Sequence, residues 1–590
     1  MTTSDEVFID RSGESRYLAV VFHGLSETSA TMGSLIAALR DTPEGADTDV
    51  FVPDLPFRIL SREDPTAVLA KVVLQMDAIW RSKASEGRQY ERVLLVGHSM
   101  GSLYARKLYV VAMGEAREAP FEAGLAQALG RDAEGSLAFA RPWGTAIHMI
   151  VLLAGMNRGW SVSHHMSLSR GVAMSVGLFA GRLIQAFGGR PFIVMSAHRG
   201  APFITQLRLQ WLALRKRTRE QGGQLAHVVQ LLGTQDDLVP PSANIDPVTG
   251  NDFSYLEVPR SGHASVVFMG AEHGAPGEER KRVFQSALSD QPGKTAMVPL
   301  AIAETPPLNP EVSDVVFVMH GIRDLGYWTE KIGQRVAAHA ARSKGTRKIA
   351  LQTSSYGYFP LLSFLRPGAR QAKVEWLMDR VTEAKARFPN AHLSYVGHSH
   401  GTYLLAKAMR DYPAVSFKHV VLAGSVLRTD QDWPALIRSS RVEKVLSFAA
   451  SADWVVAFFP NAMQRIQWQD VGGAGHYGFS KQEPGLFQLP PPNRYVSGGH
   501  SAALDENSWD SIAEFILDGN FNPSPNMPVQ RKHAWWVAAG AACAPIIWLV
   551  IAALLVLGGW IIFRLDISEW LKTLVVVAYI GAIWTILTKF

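Results

Sequence analysis

Short apolar runs alternate with longer amphipathic stretches from about residue 15 to residue 290. The runs at 18–22, 50–52, 93–96, 148–153, 228–232 and 255–258 are rich in Val, Leu and Ile and read as strands. Between them, 32–39 and 66–81 carry apolar residues at helical spacing. Near-continuous apolar strands separated by helices predict a parallel sheet covered on both faces. A proline-rich, weakly patterned stretch at 291–310 reads as a linker. The same alternation then restarts, with strands at 315–319, 349–352, 393–396, 419–422 and 445–448 and helices at 376–387 and 403–409. The chain is therefore expected to hold two tandem α/β domains, 1–290 and 311–525.

The C-terminus follows a different pattern. No charged residue occurs from Ala534 to Phe563, a run longer than the ~20 residues that cross a bilayer. Trp535, Trp536 and Trp560 stand where interfacial aromatics belong. A second apolar run, 574–587, follows a short polar connector, so 534–590 reads as a transmembrane helical hairpin, with Cys543 inside the first span. Arg531, Lys532 and His533 precede that span, while the connector is nearly charge-balanced. The positive-inside rule then places the large N-terminal part in the cytoplasm. The polar start, with Asp5 and Glu6, lacks the pattern of a signal peptide. Neither sheet is expected to draw on residues beyond Leu517, so a chain ending near Asn526 should keep both domains folded.

Composition narrows the function. The 590 residues are 47% hydrophobic and 19% charged, as for a globular protein with added apolar sequence. The single cysteine, Cys543, excludes an intramolecular disulfide and a multi-cysteine metal site. A formal charge of +6 without basic-aromatic interleaving gives no case for nucleic acid. There is no phosphate loop, dinucleotide fingerprint or metal-ligand cluster in the sequence, so no cofactor is implied.

The chemistry lies in a repeated pentapeptide. Gly97-His98-Ser99-Met100-Gly101 recurs as Gly397-His398-Ser399-His400-Gly401, each after a strand-like run and before a helix-like one. This is the nucleophile-elbow pattern, in which a serine occupies a sharp strand-to-helix turn. The first copy also has His23-Gly24, a Gly233-Thr234-Gln235-Asp236-Asp237 turn after a strand, and Ser261-Gly262-His263. The second has His320-Gly321, Ala450-Ser451-Ala452-Asp453, and Gly498-Gly499-His500.

On these motifs each copy resembles the lipase/esterase branch of the α/β-hydrolase superfamily over its full length. The resemblance implies a Ser-Asp-His set in that chain order. In the first copy it is Ser99, Asp236 and His263, with the backbone N–H groups of Leu25 and Met100 as oxyanion donors. Asp237 is the competing acid, and His23 and His98 are expected to hydrogen-bond their loops. In the second copy the set is Ser399, Asp453 and His500, with Ile322 and His400 as oxyanion donors. Asp430 and Asp432 are competing acids there, and His476 is the competing base. Two excursions, 113–141 and 160–224, interrupt the first copy. The second is a lid candidate, weighed against helices packed on the sheet. The expected function is a membrane-anchored serine hydrolase cleaving carboxylic esters through an acyl-enzyme, with membrane lipid as the natural substrate and the bilayer as partner. An acyl-protein thioesterase, or one copy serving as a binding module, is the alternative.

Overall fold

The computed structural model describes residues 7–9, 14–130, 138–161, 189–236, 238–239, 253–289, 308–322, 327–342, 347–353, 368–467, 470–489 and 492–589, with 177, 181, 184, 357, 359 and 364 as single positions. The chain forms two compact units. Unit 1 is Met1–Leu308 with Glu375–Pro389 and Tyr412–Ala414, and unit 2 is the remainder. The linker stretch and Asp237 fall largely or wholly outside the described residues.

In unit 1, seven strands form one sheet in the order β1-β3-β2-β4-β5-β6-β7. They are β1 (Val7–Ile9), β2 (Tyr17–Phe22), β3 (Thr48–Val52), β4 (Arg92–His98), β5 (Ile147–Leu153), β6 (His227–Gly233) and β7 (Phe253–Val258). All neighbours run parallel except β1, which pairs antiparallel with β3. The central strands are buried on both faces, which is why they read as unbroken apolar runs. One face carries α1 (Gly33–Arg40) and the other α2 (Pro65–Ser85), α3 (Met100–Ala112) and α4 (Pro202–Glu220), while α5 (Gly274–Ala287) joins α1.

Helix α4 settles part of the lid question. Phe203, Ile204, Leu207, Trp211 and Leu214 are buried in the core with α3. Tyr104 meets Phe203 at 5.4 Å and Tyr109 meets Trp211 at 5.8 Å between ring centroids. The 202–220 part of the lid candidate is thus a helix packed against the nucleophile helix, and 162–176 lies outside the described residues. All of α3 is buried, including two cations. Lys107 is bonded to Glu122 at 2.8 and 2.9 Å, and Arg106 lies 4.7 Å from the Trp211 ring centroid. Those partners offset the cost of removing the charges from water.

In unit 2, six parallel strands lie in the order β13-β12-β11-β10-β8-β9. They are β8 (Asp314–Met319), β9 (Ile349–Gln352), β10 (His392–His398), β11 (Phe417–Ala423), β12 (Val442–Phe448) and β13 (Leu486–Gln488). Helices α6 (Tyr327–Arg342), α7 (Ala369–Arg387), α8 (His400–Asp411) and α9 (Glu506–Asp518) follow the same alternation. Residues 375–387 of α7 belong to unit 1, where Asp379 meets Arg199 and Arg208 at 2.7 and 3.0 Å. Burial raises the Asp379 pKa, but the three guanidinium groups of Arg208, Arg199 and Arg158 outweigh it and hold it at about 2.

Neither the seven-stranded nor the six-stranded sheet draws on residues beyond Leu517, as expected, but a separate two-stranded sheet does: β14 (Tyr495–Val496) pairs antiparallel with β15 (Val529–Gln530), and Val496 bridges to Ala450. One expectation about the C-terminus is corrected: the uncharged run is not one helix. It breaks at Cys543 into α10 (Trp535–Ala542) and α11 (Ala544–Arg564). Pro545 explains the restart, since proline fits the first turn of a helix and not its interior. Cys543 is the break itself rather than a residue inside the span. Helix α10 buries Val537 and Ala541 against Ala457. Among the described residues one helix, α11, is long and apolar enough to cross a membrane, with mean hydropathy 2.8 over its most apolar window. Helix α12 (Glu569–Lys589) lies against it, the Tyr579 hydroxyl donating to the Leu555 carbonyl at 2.7 Å.

Candidate active site

The elbows are strained as the pattern requires. Ser99 has φ +51° and Ser399 φ +52°, left-handed values that side chains rarely adopt. The turn also needs small neighbours. A Cβ on Gly101 would lie 2.5 Å from the Phe22 carbonyl oxygen, and one on Gly24 would lie 3.1 Å from Ser99 Cβ. The His-Gly loop after β2 therefore passes directly against the nucleophile.

Three elements converge on Ser99 at the C-terminal edge of the sheet. Ser99 Oγ–H donates to His263 Nε2 at 2.8 Å, and His263 Nδ1–H donates to Asp236 Oδ2 at 3.0 Å. Asp236 sits on the loop after β6, where its Oδ1 accepts the Leu238 and Val239 N–H groups, both at 2.9 Å. Burial acts to raise the Asp236 pKa, but His263 and those two N–H groups prevail and lower it. The carboxylate is thus ionised and fully engaged. His263 lies beyond β7, with Arg280 of α5 tying its loop through the Ser261 hydroxyl at 2.9 Å and the Arg260 carbonyl at 3.0 Å.

A parallel sheet with a strained serine after its central strand, an acid after a later strand and a histidine beyond the last defines the architecture. Both units have the α/β-hydrolase fold. No protein-family model matches the chain, and no curated protein does. Solved structures do match. The lipase BlEst2 of Bacillus licheniformis is 12% identical and aligns over 44% of this chain and 92% of its own, with a TM-score of 0.26. A soluble variant of monoglyceride lipase from Saccharomyces cerevisiae is 11% identical, over 48% of this chain and 88% of its own, with a TM-score of 0.31. The phospholipase PlaB from Legionella pneumophila is 16% identical over 40% of each chain, with a TM-score of 0.22. The α/β-hydrolase assignment rests on sheet order and elbow geometry.

Unit 2 brings together two of its three candidate groups. His500 Nδ1–H donates to Asp453 at 2.9 and 3.1 Å, and Asp453 is fully buried as the N-cap of the short helix Trp454–Phe458. Among the described residues Ser399 makes no hydrogen bond to His500. The competitors fall elsewhere. Asp432 caps the helix Trp433–Arg438, and Asp430 pairs with Arg428 at 2.9 Å. His476 is buried and stacks on His533 at 3.8 Å between centroids.

The oxyanion positions also differ. Met100 and His400 both open the helix after the nucleophile, so their N–H groups lack an intrahelical acceptor. The His400 ring is seated on Phe359, Phe364 and Tyr403, with centroids 4.8, 5.6 and 5.7 Å away. Burial first, then the nearby charges of Arg370 and Lys373, push its pKa well down and keep the imidazole neutral.

One residue at the first site was not anticipated from the sequence. Glu27 Oε2 faces His98 Nδ1 at 2.8 Å and accepts the Gly24 N–H at 2.6 Å. His98 Nε2 faces the His263 carbonyl at 2.9 Å. Both ring nitrogens of His98 thus meet oxygen atoms, the Glu27 carboxylate on one side and the His263 carbonyl on the other. The Glu27–His98 pair joins the His23-Gly24 loop, the elbow and the His263 loop. His398 repeats part of this at the second site, reaching the His500 carbonyl at 3.3 Å. Burial acts to raise the Glu27 pKa, yet the hydrogen bond and charge of His98 leave it lowered. A carboxylate with a lowered folded value gives stability that is present above its unfolded pKa of about 4.3 and lost as pH falls through the folded value. Glu27→Gln is expected to slow turnover at Ser99 about tenfold or more, since hydrogen bonds to charged groups contribute about 1.5–3 kcal/mol. The check is kcat/KM on a short ester in the Ser399→Ala background. An unchanged value would remove Glu27 from the positioning role.

Proposed function

We propose that the chain is a membrane-anchored serine hydrolase that cleaves carboxylic esters, with membrane lipid as the natural substrate. The observation that supports it most is the unbroken hydrogen-bond series Ser99–His263–Asp236. In this reading His263 Nε2 takes the Ser99 proton as Oγ attacks the ester carbonyl. Asp236 holds the imidazole in the tautomer that leaves Nε2 free to accept. The N–H groups of Leu25 and Met100 receive the charge on the carbonyl oxygen. His263 then returns the proton to the departing alkoxide, leaving an acyl-Ser99 ester. Water, activated by the same histidine, releases the acid and restores the hydroxyl. Mass spectrometry after fluorophosphonate treatment tests the reading at its first step, with Ser99 expected as the modified residue.

For unit 2 the same chemistry at Ser399, Asp453 and His500, with Ile322 and His400 as donors, is the primary reading. The missing Ser399–His500 hydrogen bond favours a second one, in which this unit binds a ligand without turnover. Labelling at Ser399 separates them.

The anchor is read as a hairpin, α11 crossing and α12 returning, with both catalytic units on the cytoplasmic face. Its support is the apolar length of α11 and the cations Arg531 and Lys532 just before it. In a Cys543→Ser background, Thr3→Cys and Ser568→Cys should react with impermeant maleimide from opposite sides. Reaction of both from one side would sink the hairpin.

A further inference from the structure

The junction between anchor and catalytic unit is a packed interface rather than a tether. Helix α10 lies on the short helix Trp454–Phe458, with Val537 and Ala541 fully buried. The approach is close enough that a Cβ on Gly540 would sit 2.3 Å from the Phe458 ring. Asn461 Nδ2–H donates to the Ala541 carbonyl at 3.1 Å, and Arg465 donates to the Ala542 carbonyl at 2.8 Å. Contact continues into the apolar span itself. Trp548 Nε1–H donates to the Phe458 carbonyl at 2.9 Å, and its ring meets Phe459 at 5.3 Å between centroids.

That last contact sets a depth. Trp548 is four residues into α11, and a helix rises about 1.5 Å per residue, so Phe458 and Phe459 lie about 6 Å along the span from its start. Asp453, which holds His500, caps the helix that ends in Phe458. Asp453 is therefore about 8 Å back along that helix from Phe458. The surrounding surface has the chemistry of a headgroup layer. Trp454, Ile466, Trp535 and Trp536 are 53%, 57%, 81% and 45% exposed, and Arg465, Arg531 and Lys532 are exposed cations beside them. Aromatic rings with polar edges and long basic side chains are what the interface selects.

We infer that the second site is interfacial: α10 seats unit 2 in the headgroup layer, and Ser399 draws its acyl substrate from the bilayer that holds α11. The inference rests on the anchored ester-hydrolase reading and assigns its lipid substrate to a particular site. Trp454 meets Phe458 at 6.3 Å between ring centroids, and Phe458 is bonded to Trp548 of the span, so the exposed aromatic surface leads into the span and the lipid surface is its occupant.

The test uses the full chain carrying Ser99→Ala and Cys543→Ser, reconstituted in phosphatidylcholine–phosphatidylglycerol vesicles. A fluorophore on Trp454→Cys or Ile466→Cys should be quenched several-fold more by nitroxide-labelled lipid than one on Glu443→Cys, at the start of β12. Equal quenching at all three positions overturns the seating. Labels shielded from water yet untouched by nitroxide lipid overturn it as well, because a protein partner or second copy then covers the patch. In the same chain without labels, Ile466→Asp should lower hydrolysis of vesicle lipid about tenfold and leave a soluble butyrate ester unaffected. Equal loss on both substrates, or on neither, removes the link between patch and substrate. Absence of fluorophosphonate labelling at Ser399 would instead defeat the catalytic reading of unit 2, while the quenching still decides where that unit sits.

Discussion

Ser99→Ala is expected to lower ester hydrolysis by about 10⁴-fold or more when Ser399 has already been replaced by alanine. Without the hydroxyl there is no covalent route, and only binding and the oxyanion donors remain. His263→Ala should cost about as much, because the 2.8 Å hydrogen bond to Nε2 is the proton's way out. Asp236→Asn should fall in the range of ~10³–10⁴-fold, since the amide can turn its N–H₂ toward Nδ1 and favour the wrong tautomer. The three losses should not add: the Ser99→Ala, His263→Ala double variant should be no slower than either single one. Rates on a soluble p-nitrophenyl ester decide this. A Ser99→Ala rate within tenfold of the parent would place the chemistry elsewhere.

These site residues were legible because each lies in a short local pattern with a backbone cause. An elbow needs glycine at Gly97 and Gly101, and those two positions are visible without knowledge of the rest of the fold. The acid turn and Gly262-His263 each follow a strand directly, so chain order alone brings them to one edge of the sheet. Glu27 was not legible, because its role comes from meeting His98, 71 residues away. His400's aromatic seat depends on side chains from separate segments in the same way. Strand β1 was missed because three residues paired at an edge leave little periodicity. Helix α4 read equally well as a lid, since an amphipathic pattern states that a face is buried and not what buries it.

The C-terminal run shows the same limit more sharply. Hydropathy cannot separate an apolar residue facing lipid from one facing protein, so α10 and α11 merged into a single span. In the structure Val537 and Ala541 are buried on unit 2 while Trp535 remains 81% exposed.

That distinction reverses the expectation for a shortened chain. Ending the protein at Asn526 removes β15 and α10, and with them several bonds to the loops that carry Asp453 and His500. Arg494 and Ser497 lose the carbonyls of Gln530 and Pro528, at 3.2 and 2.8 Å. The Ser451 carbonyl loses the Ala534 N–H at 3.0 Å, and the Ser451 hydroxyl loses the Gln530 amide. Ser451 and Ala452 in turn bond the Val496 and Gly498 carbonyls at 2.9 and 2.8 Å, so the two loops are held as one assembly. Each hydrogen bond contributes about 1 kcal/mol, and burying Val537 about 1.5–3 kcal/mol. The truncation should therefore destabilise unit 2 by about 4 kcal/mol or more, a large share of the 5–15 kcal/mol typical of a domain. A chain ending at Cys543 keeps β15 and α10 and should retain both fold and Ser399 reactivity while leaving the membrane. Thermal melting and fluorophosphonate labelling of the two chains, side by side, make the comparison. Equal Tm values for unit 2 would show that α10 is a passive neck, and the shorter boundary at Asn526 would then be the correct end of that unit.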